Sequence, residues 1–176
     1  MDNFREEIVA KKNRGLNSVA YAAATVLMVV LALIAAMMFS TLGAGFSVQS
    51  LVMMVVTGGL AFLIFWKRDT LRTEYEYSFT NGELDFARVL GNKKRKNLGS
   101  MTIKNVEVMG HVAHSSFQRY VTMPGVEKTN WFLNRDGNLF YFYYNKDGKK
   151  RIIVIEPTEQ LVSMFKTYAQ RGAFQG

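Results

Sequence analysis

The chain has 176 residues and a formal net charge of +8, from 22 Lys and Arg against 14 Asp and Glu. That length holds one ordinary domain plus a further segment. There is no cysteine, so a disulfide framework, a thiolate nucleophile and a thiolate metal site are all excluded, and with them a secreted cystine-stapled fold. The charges are unevenly placed: the 52 positions from Gly15 to Trp66 carry none, whereas residues 67–176 hold 18 Lys and Arg against 11 Asp and Glu.

The first 17 residues are charged and are assigned to the cytoplasm. In "MDNFREEIVAKKNRG" a helical reading puts Phe4, Ile8 and Lys11 on one side, with acids early and bases late, as a helix dipole favours. Two readings stay open here, an amphipathic helix on the inner membrane surface and a frayed polar tail.

Residues 18–66 predict a transmembrane hairpin. Ser18 to Phe39 is a charge-free run of 22 residues and Val48 to Trp66 one of 19. As helices they extend roughly 33 and 28 Å, close to the ~30 Å hydrocarbon thickness of a bilayer. Buried helices of a soluble core would carry some polar face, and a chain this short has too little other mass to cover two of them. The small, uncharged "STLGAGFS" between them suits a tight connection. Lys11, Lys12 and Arg14 precede the hairpin and Lys67, Arg68 and Arg72 follow it, so the positive-inside rule places both termini in the cytoplasm. Tyr21 and Trp66 stand near the water boundary, where amphipathic rings are favoured.

A cleaved signal peptide does not fit, because the first run is too long and a second span follows at once. The hairpin has no ionisable residue to mark an ion route. Small residues at Ala20 with Ala24, Ala32 with Ala36, and Gly58-Gly59 allow close helix approach, read here as packing of the hairpin against itself rather than as a dimer interface.

From residue 67 to 176 the period changes to that of strands. "YEYSF", the Asn81-Gly82 pair and "ELDFARVL" read as a hairpin, with Leu84, Phe86 and Arg88 on one side. "GNKKRKN" reads as a polar break, and "SMTIKNVEVMGHV" as a strand or a strand entered through a short turn. Residues 114–128 give no clear pattern beyond a Pro124-Gly125 turn. "NWFLN", "LFYFYY" and "KKRIIVIE", joined at Asp136-Gly137 and Asp147-Gly148, predict a three-stranded meander whose aromatic run, Phe140 to Tyr144, is buried on both faces. "EPTEQLVSMFKTYAQRG" predicts a closing amphipathic helix with Leu161, Phe165 and Tyr168 on one face.

Six or seven antiparallel strands closed by one helix outline a PH-like antiparallel β-barrel with a C-terminal capping helix, so the fold class is an α+β membrane protein. The order of a hairpin of spans, "YEYSFTNGELDF", a basic turn, "MTIKNVEVM", a late strand pair and "EQLVSMFKTY" resembles small two-span bacterial membrane proteins with a cytoplasmic PH-like domain, known from Gram-positive bacteria. The likeness covers roughly residues 18–168. It implies a split barrel capped by a helix and little about chemistry.

The densest basic run is Lys93, Lys94, Arg95 and Lys96, which with Lys67 and Arg68 forms the candidate lipid-facing set. On a turn near an anionic leaflet each cation gains about 1 kcal/mol; the alternative is a solvated turn that keeps strands soluble. Lys149, Lys150 and Arg151 could extend this collar, although solvation is the stronger reading there. In PH domains that bind phosphoinositides, the basic residues flank a longer loop between the first two strands. Here that connection is Asn81-Gly82 and the basic run falls one connection later, which argues against inositide recognition and leaves nonspecific attraction to anionic lipid.

Nucleic acid is not expected as a partner, since no binding signature accompanies the basic excess. "EVMGHVAH" places Glu107, His111 and His114 close in sequence, but strand geometry separates the two histidines, and no metal or other cofactor is expected. Nucleophile-elbow, P-loop and dinucleotide motifs are missing. The expected function is a noncatalytic, membrane-anchored binding or scaffolding module whose partners are the bilayer, anionic lipid head groups and an unidentified protein. The alternative is an accessory or regulatory subunit of a membrane transporter or secretion complex.

Overall fold

The computed structural model describes residues 3–45 and 47–176. It divides into two compact units, one built from residues 3–12, 74–89 and 94–176, the other from residues 13–73 with 90–93.

The second unit is helical. Helix α1 runs Arg14–Ala44 and α2 runs Val48–Lys67, continued by a 3-10 turn Arg68–Arg72. Both helices are long and apolar enough to cross a membrane. Gly58 faces Ala35 across the helix pair, where a methyl would lie 3.8 Å from Ala35 Cβ, an ordinary packing contact. Thr57 and Ala61, on the same side of α2 as Gly58, are buried, while most large apolar side chains of both helices face outward.

The first unit holds two sheets. Strands β1 (Phe4–Ala10), β2 (Thr73–Thr80), β3 (Glu83–Leu90) and β4 (Lys94–Thr102) form one sheet in that order. The other contains β5 (Val108–His111), β6 (Glu127–Trp131), β7 (Phe140–Lys146), β8 (Lys149–Ile155) and β9 (Phe174–Gln175), ordered β6-β8-β7-β5-β9. Helix α3 (Ser115–Val121) follows β5, and α4 (Glu159–Tyr168) follows β8. The core between the sheets joins Tyr77, Phe79 and Phe86 of the first to Phe140 and Phe142 of the second, under Leu161, Val162 and Phe165 of α4. A smaller cluster on the other face of the second sheet packs Tyr141 and Tyr143 against Phe117 and Tyr120 of α3. Strand β7 is therefore buried on both faces and central, as its unbroken aromatic run requires.

Three sequence expectations are corrected, and one unassigned stretch is filled. The amphipathic helix over Phe4, Ile8 and Lys11 is a strand: β1 pairs antiparallel with β2, from Phe4↔Thr80 to Ala10↔Glu74. An isolated seven-residue helix is marginal in water, whereas a strand beside β2 has its amides paired along one edge. The helical hairpin is thus inserted between two neighbouring strands of one sheet, and α1 starts at Arg14 rather than Ser18.

The "GNKKRKN" break is a tight turn and a strand. Gly91 and Asn92 have φ of +58° and +56°, Lys93 N–H bonds Leu90 C=O at 3.1 Å, and Lys94, Arg95 and Lys96 lie on β4. Asn81-Gly82 and Asp147-Gly148 share this two-residue, positive-φ geometry, which matches the right-handed twist of the flanking strands.

The meander is also revised, because β6 pairs parallel with β8, on the side away from β7. Residues 132–139 cross instead of doubling back. Asn134 holds them, its side-chain amide donating to Ala10 C=O at 3.0 Å and to Glu156 Oε1 at 2.9 Å. Finally, the unreadable 114–128 stretch contains α3, capped by the His114 ring, which accepts the Ser116 amide at 3.3 Å.

Candidate functional site

The residues at the end of α2 are held by the sequence order "FWKRDTLR", in which an apolar helix ends in a short 3-10 turn rich in cations. Lys67 lies 5.2 Å from the centroid of the neighbouring Trp66 ring and is exposed. Arg68 folds back along α1, its side chain 16% exposed. There its guanidinium approaches the rings of Tyr21 and Phe65 at 5.5 and 5.3 Å and donates to Thr25 Oγ1 at 3.4 Å and Met28 Sδ at 3.8 Å. Arg72, absent from the set singled out by the sequence, stacks on the same Tyr21 ring at 3.9 Å. Its backbone carbonyl accepts the Gly91 amide at 2.9 Å, and Asp69 packs against Gly91.

The basic run is divided by strand alternation. Lys93 closes the turn of residues 90–93, which groups with the helical unit, and Lys94, Arg95 and Lys96 start β4 in the sheet unit. Arg95 Nε lies 2.7 Å from Glu76 Oε2 on β2, so one of the four cations is committed to a carboxylate. Among the described residues no carboxylate pairs with Lys93, Lys94 or Lys96, and all three are exposed. The 149–151 cations differ: Lys149 and Arg151 both reach Glu127, at 3.4 and 3.0 Å. That pairing favours the solvated reading of this turn.

Between β4 and β6, the edge strands of the two sheets, lies a cavity of about 270 Å³. Phe86, Leu98, Trp131, Tyr144 and Ile153 line it together with the charged Glu127, Lys146 and Arg151. Burial pushes the Tyr144 phenol up, against the pull of Arg151 beside it. Among the described residues that line it, no nucleophile with a base and a third orienting group converges.

His111 Nδ1 is 2.9 Å from Asn138 Oδ1, and His114 Nδ1 is 2.7 Å from Ser116 Oγ, which lies 2.8 Å from the Tyr141 hydroxyl. These are local caps and ties. Among the described residues no group of three or more His, Asp or Glu side chains is placed to hold a metal ion.

Comparison with known proteins agrees with this architecture. No curated protein and no solved structure matches the chain. A family described as "Bacterial PH-like domain (DUF6106)" matches residues 1–175, so the match takes in β1, both apolar helices and the two sheets together. The chain belongs to this bacterial PH-like domain family.

Proposed function

We propose that the protein is a noncatalytic, membrane-anchored PH-like binding or scaffolding module, with the sheets on the cytoplasmic side and the Gly91 to Lys96 region against an anionic inner leaflet. The observation that carries the reading is the pairing of β1 with β2 across the hairpin insertion. Strands in one sheet lie on one side of a membrane, so the helices between them must enter and return, and the cations at both ends select the cytoplasm. The family description supports a binding role, since PH-like domains are generally binding modules and not catalysts.

The hydrogen bond from Gly91 to Arg72 supports lipid apposition. It ties the turn that bears Lys93 to the residues immediately after α2, where the helix leaves the bilayer in this reading. Lys94 and Lys96 follow on β4. Their attraction is nonspecific, of the kind worth about 1 kcal/mol per cation and weakened by salt.

The test uses the full chain in nanodiscs of neutral phosphatidylcholine or of phosphatidylcholine with phosphatidylglycerol. Amine-acylation rates at Lys93, Lys94 and Lys96 should fall several-fold in the anionic discs and recover in high salt, while Lys128 stays unchanged. Equal rates in both kinds of disc would remove lipid apposition from the account.

A further inference from the structure

Two guanidinium groups share one aromatic ring at the end of the hairpin. Arg72 lies 3.9 Å and Arg68 5.5 Å from the Tyr21 centroid. The acid beside them is Asp69, whose Oδ1 is 3.8 Å from Arg68 Nε, beyond hydrogen-bond distance. Arg68 Nε is buried and has no hydrogen-bond partner, and the terminal nitrogen of the same group has only long contacts to Thr25 and Met28. A buried donor on a cation is costly to leave unmet, and like charges at one ring repel. The local sum of Arg68, Arg72 and Asp69 is one positive charge.

Height along the hairpin says where the missing acceptor comes from. Helix α1 has 31 residues and α2 has 20, so α1 is longer by 11, or about 16 Å. Helix α2 alone matches the ~30 Å hydrocarbon layer. The two helices are joined directly through residues 45–47, so the excess of α1 falls at its Arg14 end, which includes Tyr21. Tyr21, Arg68 and Arg72 then stand at the level of the phosphates of the leaflet that surrounds the exit of α2.

We infer that Arg68 and Arg72, positioned on Tyr21, form a binding site for one singly charged phosphate oxyanion, as carried by a phospholipid head group. One such group cancels the local charge and offers acceptors to the exposed Arg72 and to the terminal nitrogens of Arg68, whose contacts to Thr25 and Met28 are long, and guanidinium planes suit phosphate oxygens. Arg72 is positioned for this by its stacking on Tyr21, and Arg68 by its packing on α1. The site is distinct from the diffuse attraction of Lys93, Lys94 and Lys96, but it rests on the membrane reading of the hairpin.

The experiment is native mass spectrometry of the full chain released from phosphatidylcholine and phosphatidylglycerol bilayers, preceded by carbonate extraction of the membranes. The expected result is one retained phospholipid per chain, reduced at least tenfold in Arg72→Gln and in Arg68→Gln and unchanged in Lys94→Gln. Arg72 is exposed and stacks on Tyr21, so that variant should keep the fold even if Arg68→Gln loosens the hairpin. A second arm offers inorganic phosphate to delipidated protein. Saturable binding lost in Arg72→Gln assigns the site to free phosphate, and lipid retention assigns it to the head group. A chain that resists carbonate extraction but retains neither ligand overturns the site alone. A chain released by carbonate overturns the membrane reading and the site with it.

Discussion

The Glu7 carboxylate, on the strand that precedes the hairpin, accepts the backbone amide of Thr158 at 2.9 Å and also its hydroxyl. Thr158 is the N-cap of α4, its hydroxyl in turn accepting the Leu161 amide at 3.4 Å. A buried acid is thereby spent on the positive end of a helix that lies 151 positions away in the chain. Glu7→Ala should cost about 1–3 kcal/mol, since it leaves a half-buried amide unpaired and weakens a cap. Thermal unfolding should show the loss, while Glu6→Ala, exposed on the opposite face of β1, should leave the midpoint unmoved.

Because β1 belongs to the sheets, the soluble unit is not the segment after the hairpin. Replacing residues 13–73 with a short Gly/Ser linker should give a soluble, folded domain, as Ala10 and Glu74 are already strand partners. Residues 69–176 alone should unfold at lower temperature or aggregate, for they expose the β2 edge and leave Thr158 without Glu7. Size-exclusion chromatography and circular dichroism of the two forms decide it; equal behaviour would mean that β1 contributes nothing.

Alkaline pH should unfold the domain. Burial pushes the phenol of Tyr77 far above its ordinary value of about 10, and burial also raises Tyr141 and Tyr144. A raised folded-state pKa leaves stability intact below pH ~10 and removes it above, where the unfolded phenol ionises and the folded one does not. For Tyr77 the slope is about 1.4 kcal/mol per pH unit. Unfolding midpoints followed from pH 8 to 12 should be flat and then fall. Tyr77→Phe should flatten the fall, yet lower stability at pH 8, because the Tyr77 hydroxyl donates to Trp131 C=O and accepts the Glu156 amide at 3.3 Å.

Gly110→Ala should detach β9 from β5. A methyl at this position would lie 2.3 Å from the Gln175 carbonyl oxygen, which is backbone and cannot rotate aside. Phe174 would lose its stacking on Phe140, at 6.3 Å and 15°. Hydrogen exchange at the Met109 amide, which donates to Ala173 C=O at 2.8 Å, should accelerate at least tenfold, with exchange in β7 and β8 little changed.

What the sequence revealed follows from physics that acts locally. The hairpin was legible because no charge interrupts Gly15 to Trp66, and two of the three tight turns because Asn-Gly and Asp-Gly favour positive φ. The third, Gly91-Asn92, carries a recognised turn pair, but the adjacent run of cations masked it, since exposed strand residues need not be apolar. Strand β1 was hidden by a mixed pattern: Phe4 and Ile8 point outward, and the inward face sets Arg5 and Glu7 beside Val9, with the Glu7 partner Thr158 known only from the fold. The parallel pairing of β6 with β8 depends on where Asn134 anchors the crossing, again a nonlocal fact. At the candidate site, Lys67, Arg68 and Lys93 to Lys96 could be picked out by charge alone. That Arg68 turns inward, that Arg95 is held by Glu76, and that Arg72 joins Arg68 on Tyr21 required coordinates.

The chain has no cysteine, so a single introduced thiol reports one position without background. Thr41→Cys, at the far end of α1, and Asn145→Cys, at the β7 end near the Asp147-Gly148 turn, should be compared in intact bacterial cells with a membrane-impermeant maleimide. The expected result is labelling of Thr41→Cys in intact cells and of Asn145→Cys only after lysis. Labelling of Asn145→Cys in intact cells would contradict a PH-like domain held at the cytoplasmic face by an inserted hairpin.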